Sequence, residues 1–311
     1  MTAEIFVLNY NGKDLMAECL PSILAAVKAS PVSCSLTVID NQSRDGSIRL
    51  LEEHFKEVRV YLAKKNLVFC SYNDAVRESK ADVAILLNND IKTEKDFIAP
   101  LLKVFQDHPD AFLAAPKATT FDGSRYEGSL SKMFFRYGQF GAESRFDGFQ
   151  GKVDRPGYTM AAGFGAFKRA TFLELGGFDH LYLPGTVEDS DICFRAWKRG
   201  YACYYVPESC VFHKGQATFK KTFGRSRLLA MNQRNLYLFI WKNISDPGLL
   251  AEHLAWLLLR PLFFLLRGRF EFLWGFLWAL PRLPRALKRR FSGFAGKVRS
   301  DRAIFKISES L

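Results

Sequence analysis

Residues 4–11 read Glu4-Ile5-Phe6-Val7-Leu8-Asn9-Tyr10-Asn11, and residues 36–41 read Leu36-Thr37-Val38-Ile39-Asp40-Asn41. Each is an aliphatic run of strand length that stops on polar residues. Val83-Ala84-Ile85-Leu86-Leu87 followed by Asn88-Asn89-Asp90 repeats the pattern, and Val58–Leu62 is a further apolar run. Helix-like segments lie between them, near Leu15–Lys28, Asp45–Phe55 and Ser71–Ser79, and another near Glu94–Asp107 follows the last. Strand, helix, strand at this spacing predicts βαβ crossovers and a mainly parallel sheet covered on both faces, an α/β domain. Ligands of such sheets sit at the carboxyl ends of the strands. Asn9 and Asn11, Asp40 and Asn41, and Asn88, Asn89 and Asp90 are therefore candidate site residues. Asn and Asp also favour turns and helix caps, which accounts for any single cluster; three clusters on one edge point to a site.

At 311 residues the chain has room for one large domain or two ordinary ones. With 48% apolar and 24% charged residues it is a folding composition rather than a disordered one. The net charge of +12 is unevenly held. Through His213 there are 25 Lys+Arg against 27 Asp+Glu, whereas from Lys214 onward there are 19 against 5, a local net of +14. The last third thus calls for an anionic partner, nucleic acid or a membrane face. The six cysteines include no CxxC pair and no His-paired zinc spacing, so they read as reduced thiols. Met1 leads almost directly into Glu4–Leu8, which is unlike a signal peptide.

Further along, Lys117–Pro156 is rich in Gly, Phe, Arg and Ser without a strong period and reads as a long excursion over the site edge. Tyr158–Phe167 reads as a strand whose small residues, Ala161, Ala162, Gly163, Gly165 and Ala166, admit close approach of a ligand or backbone. Glu188-Asp189-Ser190-Asp191 opens a helix that runs to Arg199 and stops at Gly200. Acidic residues suit a first helical turn, so capping alone is one reading of that cluster. Tyr201–Val206 and Cys210–Phe212 read as two short strands, the second ended by His213.

Taken in order, Asn9-Tyr10-Asn11-Gly12, Val38-Ile39-Asp40-Asn41 through Asp45-Gly46-Ser47, Asn66-Leu67-Val68-Phe69 with Asn73, Leu87-Asn88-Asn89-Asp90, Gly176-Gly177-Phe178-Asp179, Glu188-Asp189-Ser190-Asp191 with Arg195, and Pro207 followed by His213 resemble the family-2 glycosyltransferases of the GT-A fold, in particular the rhamnosyltransferase-like enzymes of surface polysaccharide synthesis. The resemblance covers roughly residues 4–240. It implies a Rossmann-like GT-A domain that is metal-dependent and inverting, with Mg²⁺ or Mn²⁺ as cofactor and a nucleotide-diphosphate sugar as donor. By this resemblance Asp40 binds the base or ribose, with Asn9, Asn11, Asn66, Asn73, Asn88 and Asn89 in the nucleotide-sugar site. Asp90 and His213 would hold the metal, with an ordinary strand-end histidine as the alternative for His213. The family's first acidic metal residue is Asn88 here, which removes one negative charge and leaves a neutral oxygen ligand. Asp189 would be the base, with Glu188 and Asp191 shaping its environment or meeting the acceptor. The chemistry asks for these groups: a leaving diphosphate develops negative charge, and an attacking hydroxyl must lose its proton. Crowding three carboxylates also raises at least one pKa.

Arg225, Arg227 and Arg234 lie on or before a helix over Leu228–Trp241 and either reach the diphosphate or are solvated; Arg234 is the candidate among them. Leu249–Leu266 and Phe270–Leu280 are very apolar and carry Trp256, Trp274 and Trp278. Glu252, His253 and Arg260-Pro261 interrupt the first, and the second is too short for a hydrocarbon layer of roughly 30 Å, so neither reads as a membrane span. Flanked by Arg267, Arg269, Arg282, Arg285 and Lys288-Arg289-Arg290, they read as an interfacial anchor on anionic lipid; a dimer interface or a cover for the catalytic core is the alternative. Large aliphatic and aromatic blocks interleave with the cations, which disfavours nucleic acid. The resulting expectation is a catalytic domain over residues 1–222 and a basic helical membrane-associating region over 223–311. The protein would be peripheral on the cytoplasmic face of the cell membrane and act on a surface-glycan or lipid-linked acceptor. The alternatives are a catalytically silent membrane adaptor that keeps the fold, or a sugar-nucleotide pyrophosphorylase.

Overall fold

The computed structural model describes residues 1–214, 224–292, 296 and 298–311. The expected boundary at 222/223 lies outside the described residues.

Its α/β half opens with β1 (Ala3–Asn9), α1 (Lys13–Ala29), β2 (Cys34–Asp40), α2 (Ser47–His54), β3 (Arg59–Leu62), α3 (Tyr72–Glu78) and β4 (Val83–Asn88). There follow β5 (Ile91–Thr93), α4 (Ile98–Asp107), β6 (Ala111–Thr119), β7 (Tyr126–Gly128), β8 (Lys132–Arg136), β9 (Gln139–Glu143), β10 (Gly157–Tyr158) and β11 (Gly165–Lys168). Then come α5 (Arg169–Glu174), α6 (Glu188–Lys198) and β12 (Ala202–His213), and after them α7 (Arg225–Asn243), α8 (Pro247–Leu266), α9 (Phe270–Ala279), α10 (Leu283–Ser292) and α11 (Asp301–Glu309).

The main sheet runs β10-β12-β6-β11-β4-β1-β2-β3, with β5 added to β12 and β7 to β6. Pairings of β1 with β2 and β4, of β2 with β3 and of β12 with β6 are parallel, while β11 enters antiparallel between β4 and β6. The apolar runs follow from this placement. Ile5 and Val7 face one core with Leu20 and Ile23 of α1, while Phe6 between them faces a second core with Tyr72 and Val76 of α3. A strand buried on both faces has no polar position to spare, and each such side chain contributes about 1.5–3 kcal/mol on burial.

Three expectations change. Lys117–Pro156 is structured: β8 and β9 form a hairpin whose turn, Tyr137-Gly138, has positive φ at both residues (53° and 65°). The stretch 158–167 is not one strand but β10, an irregular strap and β11. Tyr201–Val206 and Cys210–Phe212 are one strand, β12, with an irregularity between Val206 and Cys210.

The C-terminal helices share the core of the sheet domain. Tyr237, Leu238, Phe239 and Ile240 of α7, Ala286 of α10 and Ile304 and Phe305 of α11 belong to the same cluster as Phe6 and Phe112. Helix α8 runs unbroken for 20 residues through Pro261 and is, by length and composition, long and apolar enough to cross a membrane, contrary to the reading that its polar residues interrupt it. Those polar residues face the β8–β9 hairpin. Glu252 Oε1 accepts from Gly138 N at 2.7 Å, His253 Nδ1 lies 2.7 Å from Gly138 O, and Arg260 donates to Gln139 and to the Tyr137 carbonyl. Trp256 also turns to the hairpin, its ring 5.5 Å from that of Tyr137.

Candidate active site

The parallel register lines up the strand ends: Asn9 pairs with Asp40 across β1 and β2, and Leu8 with Asn88 across β1 and β4. Asn9 is fully buried and ties these ends together. Its Nδ2 donates to Asp40 Oδ2 and to Ser43 Oγ, both at 3.1 Å, and its Oδ1 accepts from Asn89 Nδ2 at 2.8 Å. Gly12 makes that knot possible, because a Cβ there would sit 2.0 Å from Asn89 Nδ2 and 2.7 Å from Asn9 Oδ1. Asn9 is thus an internal brace for Asp40 and the Asn88–Asp90 turn, to which Asn89 is tied through its amide nitrogen. Asp40 Oδ1 also accepts from Ser43 N at 2.8 Å. Asn11, at φ 48°, accepts from Arg44 N through Oδ1 at 2.7 Å and so shapes the same loop.

Asn66 is exposed, and its Oδ1 accepts from Val68 N in a local turn. Asn73 is spent elsewhere. Its Nδ2 donates to Phe178 O and its Oδ1 accepts from Phe178 N, both at 2.8 Å, and Gly177 has no room for a Cβ beside it. With both ends of its amide so used, Asn73 pins the Gly176–Asp179 turn rather than a nucleotide.

Beside Asn88, which is half-exposed, stands Asp90. The antiparallel pairing of β5 with β12 brings His213 opposite Ile91 and its Nε2 to 3.5 Å from Asp90 Oδ1. That oxygen is buried and has no hydrogen-bond partner among the described residues. A buried carboxylate oxygen without a partner is costly unless something else meets it. Among the described residues no three His, Cys, Asp or Glu side chains gather as a metal cage. Asp90 and His213 fit a divalent ion that takes its other oxygens from a bound ligand, with Asn88 as a neutral donor nearby.

The strap 159–164 leads from this edge to the acidic helix. Phe164 packs its ring 5.7 Å from the ring of His213, and a Cβ on Gly163 would lie 3.5 Å from Asp189 Oδ2. The three carboxylates of α6 separate by environment. Asp189 is half-buried, its Oδ1 accepts from Ser190 N at 2.6 Å, and it has no ion-pair partner among the described residues. Burial pushes its carboxyl above the ordinary value. Glu188 is buried, its Oε2 lacks a hydrogen-bond partner among the described residues, and burial followed by the Asp189 charge pushes its pKa up to about 8. Burial thus favours the protonated form of Glu188, and carboxylates held in different environments can differ in role.

Asp191 is different in kind. It is fully buried, accepting from Tyr182 Oη, Arg195 Nε, Lys242 Nζ and Asn243 Nδ2 at 2.7–2.8 Å. Burial alone would raise its pKa, but Arg195 and Lys242 hold it well below the carboxylate range. With its oxygens occupied it cannot meet an acceptor, which corrects that part of the expectation; Asp191 joins α6 to α7. Arg234 is corrected too. It is buried, and its guanidinium donates to Tyr182 O at 3.1 Å, to Leu183 O at 2.9 Å and to Asn235 Oδ1 at 2.9 Å instead of reaching toward a diphosphate. Ser43, Tyr182, Asn235, Lys242 and Asn243 were not legible as site supports, since nothing local marks a polar residue whose partner lies dozens of positions away.

A mainly parallel α/β sheet of this order, with carboxylates gathered at its carboxyl edge, defines a GT-A glycosyltransferase. The chain belongs to glycosyl transferase family 2, whose family model matches residues 4–171, more than half of its length. Among curated proteins it is 26% identical over 211 residues to the probable N-acetylgalactosaminyltransferase 9 of Caenorhabditis elegans, covering 62% of this chain and 36% of that protein. It is also 26% identical over 247 residues to the O-antigen chain rhamnosyltransferase RfbN of Salmonella typhimurium, covering 72% of this chain and 70% of that protein. The chain thus spans about a third of the first relative and over two thirds of the second. The solved structure of GalNAc-T7 with UDP, GalNAc and Mn²⁺ superposes with a TM-score of 0.59 at 16% identity, covering 79% of this chain and 48% of that one. Asp189, Glu188 and His213 lie beyond the family match.

Proposed function

We propose that this glycosyltransferase works by inversion, moving a sugar from a nucleoside-diphosphate donor to a surface-glycan or lipid-linked acceptor at the cytoplasmic face of the cell membrane. The observation that carries the reading is the division of carboxylates. Asp40 ends β2 and Asp90 follows β4, the two strands that flank β1, and Asp90 keeps an oxygen with no hydrogen-bond partner among the described residues, while Asp189 stands beyond the Gly163–Phe164 strap with no ion-pair partner among the described residues. Asp40 binds the nucleoside. Asp90 and His213 are the residues that would hold Mg²⁺ or Mn²⁺, and such an ion would supply positive charge to offset the charge that develops on a departing diphosphate. Asp189 takes the proton of the acceptor hydroxyl as that oxygen attacks the anomeric carbon from the face opposite the diphosphate. With the acceptor hydroxyl as the nucleophile and Asp189 as its base, the reaction is a single displacement, hence inversion. Support for the metal comes from the Mn²⁺ in the GalNAc-T7 structure, and support for rhamnose as the sugar, with dTDP as one nucleotide carrier to test, from the rhamnosyltransferase that matches most of both chains.

Neither alternative is favoured. A silent adaptor has no use for a buried Asp90 oxygen left without a hydrogen-bond partner among the described residues, and the family match does not point to a pyrophosphorylase.

The test is transfer from dTDP-rhamnose by the full-length protein, alongside a panel of other nucleotide sugars. Asp189→Asn is expected to abolish turnover while donor affinity stays within about twofold, since the base meets only the acceptor. Retention of activity to within about tenfold, a barrier change of about 1.4 kcal/mol, would remove Asp189 as the base. Full activity in excess chelator would remove the metal.

A further inference from the structure

Asp189 is delivered by a loop that does not hold itself. Between Asp179 and Glu188 the chain contains Thr186 at φ 69° and Val187 at φ 72°. The left-handed region is disfavoured for branched side chains and persists only where surroundings impose it. The imposing groups come from the C-terminal helices. Asn235 of α7 is fully buried, and its Nδ2, with two hydrogens to give, lies within hydrogen-bond distance of Tyr182 O at 2.9 Å, Thr186 O at 2.9 Å, Thr186 Oγ1 at 3.2 Å and Gly185 O. Its Oδ1 accepts from Arg234 Nε at 2.9 Å, so Arg234 fixes which way the amide faces while itself donating to Tyr182 O and Leu183 O. Arg282, in the turn after α9, adds donations to Leu181 O and Leu183 O, both at 2.9 Å. Successive carbonyls of one strained loop thus converge on donors from α7 and the turn after α9. Helix α7 is in turn seated on α9 at Gly275, where a Cβ would lie 2.7 Å from Ala230 O.

We propose that Arg234 and Asn235 are positioning residues for the transfer step: a buried donor pair that holds the strained 182–187 loop and thereby sets the aim of Asp189. The inference rests on the reading of Asp189 as base and deepens it. Donation is the property that matters. An amide nitrogen offers two hydrogens to the surrounding carbonyls, whereas a carboxylate of the same shape offers none and repels them. Asn235→Asp therefore keeps the volume and loses the function.

The experiment compares full-length wild type, Asn235→Asp and Arg282→Met; the last is half-exposed and keeps the test open should the buried substitution prevent folding. Hydrogen exchange needs no substrate. Amides of 182–189 are expected to exchange at least about tenfold faster in the variants, with β1 and β4 amides unchanged. At saturating dTDP-rhamnose, kcat is expected to fall at least about tenfold with the donor KM within about twofold, because the donor edge is untouched. Unchanged exchange in the loop overturns the proposal, as does a loosened loop with normal kcat. Should Asp189→Asn itself stay active, the base assignment fails, while the exchange measurement still decides whether the loop is held by this pair.

Discussion

Polar residues in this chain divide into those that could meet a ligand and those that hold others in place, and only their partners tell the two apart. Asp90 keeps one carboxylate oxygen without a hydrogen-bond partner among the described residues, whereas both oxygens of the buried Asp40 accept from Asn9 and Ser43. Asn9, Asn73, Asp191 and Arg234 have the same residue types at equally suggestive places, yet they are buried and spend their hydrogen-bonding groups on Asp40 and Asn89, Phe178, Lys242 and the Tyr182 carbonyl. Sequence shows a donor or an acceptor without showing what it is spent on. Glu188 gives a prediction at this scale. Its folded pKa, about 8, lies above its ordinary 4.5, so the folded chain binds that proton more tightly than the unfolded chain does. Stability from this group is full below the ordinary value and is lost as pH rises through the interval to about 8. Each unit of upward shift is worth about 1.4 kcal/mol. Glu188→Gln, which cannot ionise, is therefore expected to raise the unfolding midpoint relative to wild type at pH 8 and to change it little at pH 5. Equal effects at both pH values would mean that Glu188 is not held neutral.

At the scale of elements, long and strongly patterned pieces were readable to within a few residues. β1, β2, β4, α1 and α6 fall where period and punctuation put them, with Gly200 ending α6 at φ 89°. The β8–β9 hairpin was missed, although its Tyr137-Gly138 turn carries the pair of positive φ values that a two-residue hairpin needs. The signal was weak because Gly follows Tyr there instead of Asn or Asp, and because Met133 and Phe140 are buried only through packing on distant helices. The α6–α7 junction shows how such distant packing is enforced. Lys242 Nζ donates to Asp179 Oδ2 at 2.7 Å and to both oxygens of Asp191, in an interior where Asp191 is wholly shielded. Removing one partner of a buried ion pair leaves the other charge uncompensated, at about 3–5 kcal/mol. Lys242→Met is thus expected to lower folding stability by about that amount in chemical denaturation, with Arg195 limiting the loss. Pairing it with Asp191→Asn should recover part of the deficit, since the stranded charge is gone; a double variant no better than Lys242→Met would show that the lysine acts by packing alone.

At the scale of the whole molecule, the tail both completes the catalytic unit and presents a surface. Leu258 is 82% exposed and Leu266 78%, and Leu254, Leu259, Leu262, Phe263, Phe270, Trp274 and Leu277 are each at least half open or nearly so. So large an apolar face, rimmed by the exposed cations Arg267, Arg269, Arg285 and Lys288, suits the interface of an anionic bilayer. A transbilayer course is disfavoured because Glu252, His253 and Arg260 bind the β8–β9 hairpin along the opposite face of α8. Truncation after Lys242 would remove α11, whose Asp301 pairs with Lys198 at 2.6 Å, and would therefore damage the core rather than merely detach an anchor. The informative change leaves the fold alone. Leu258→Asp with Leu266→Asp replaces side chains that touch little, so the unfolding midpoint should stay near wild type. Binding to phosphatidylglycerol vesicles, in contrast, should be lost. Replacing Arg267, Arg269, Arg285 and Lys288 by Gln should remove only the salt-sensitive part, on the order of 1 kcal/mol for each cation near an anionic surface, and leave the apolar part intact at high salt. If wild type ignores such vesicles and forms a dimer that the Leu258→Asp and Leu266→Asp pair dissociates, then the face meets a second copy of the chain and the membrane assignment falls.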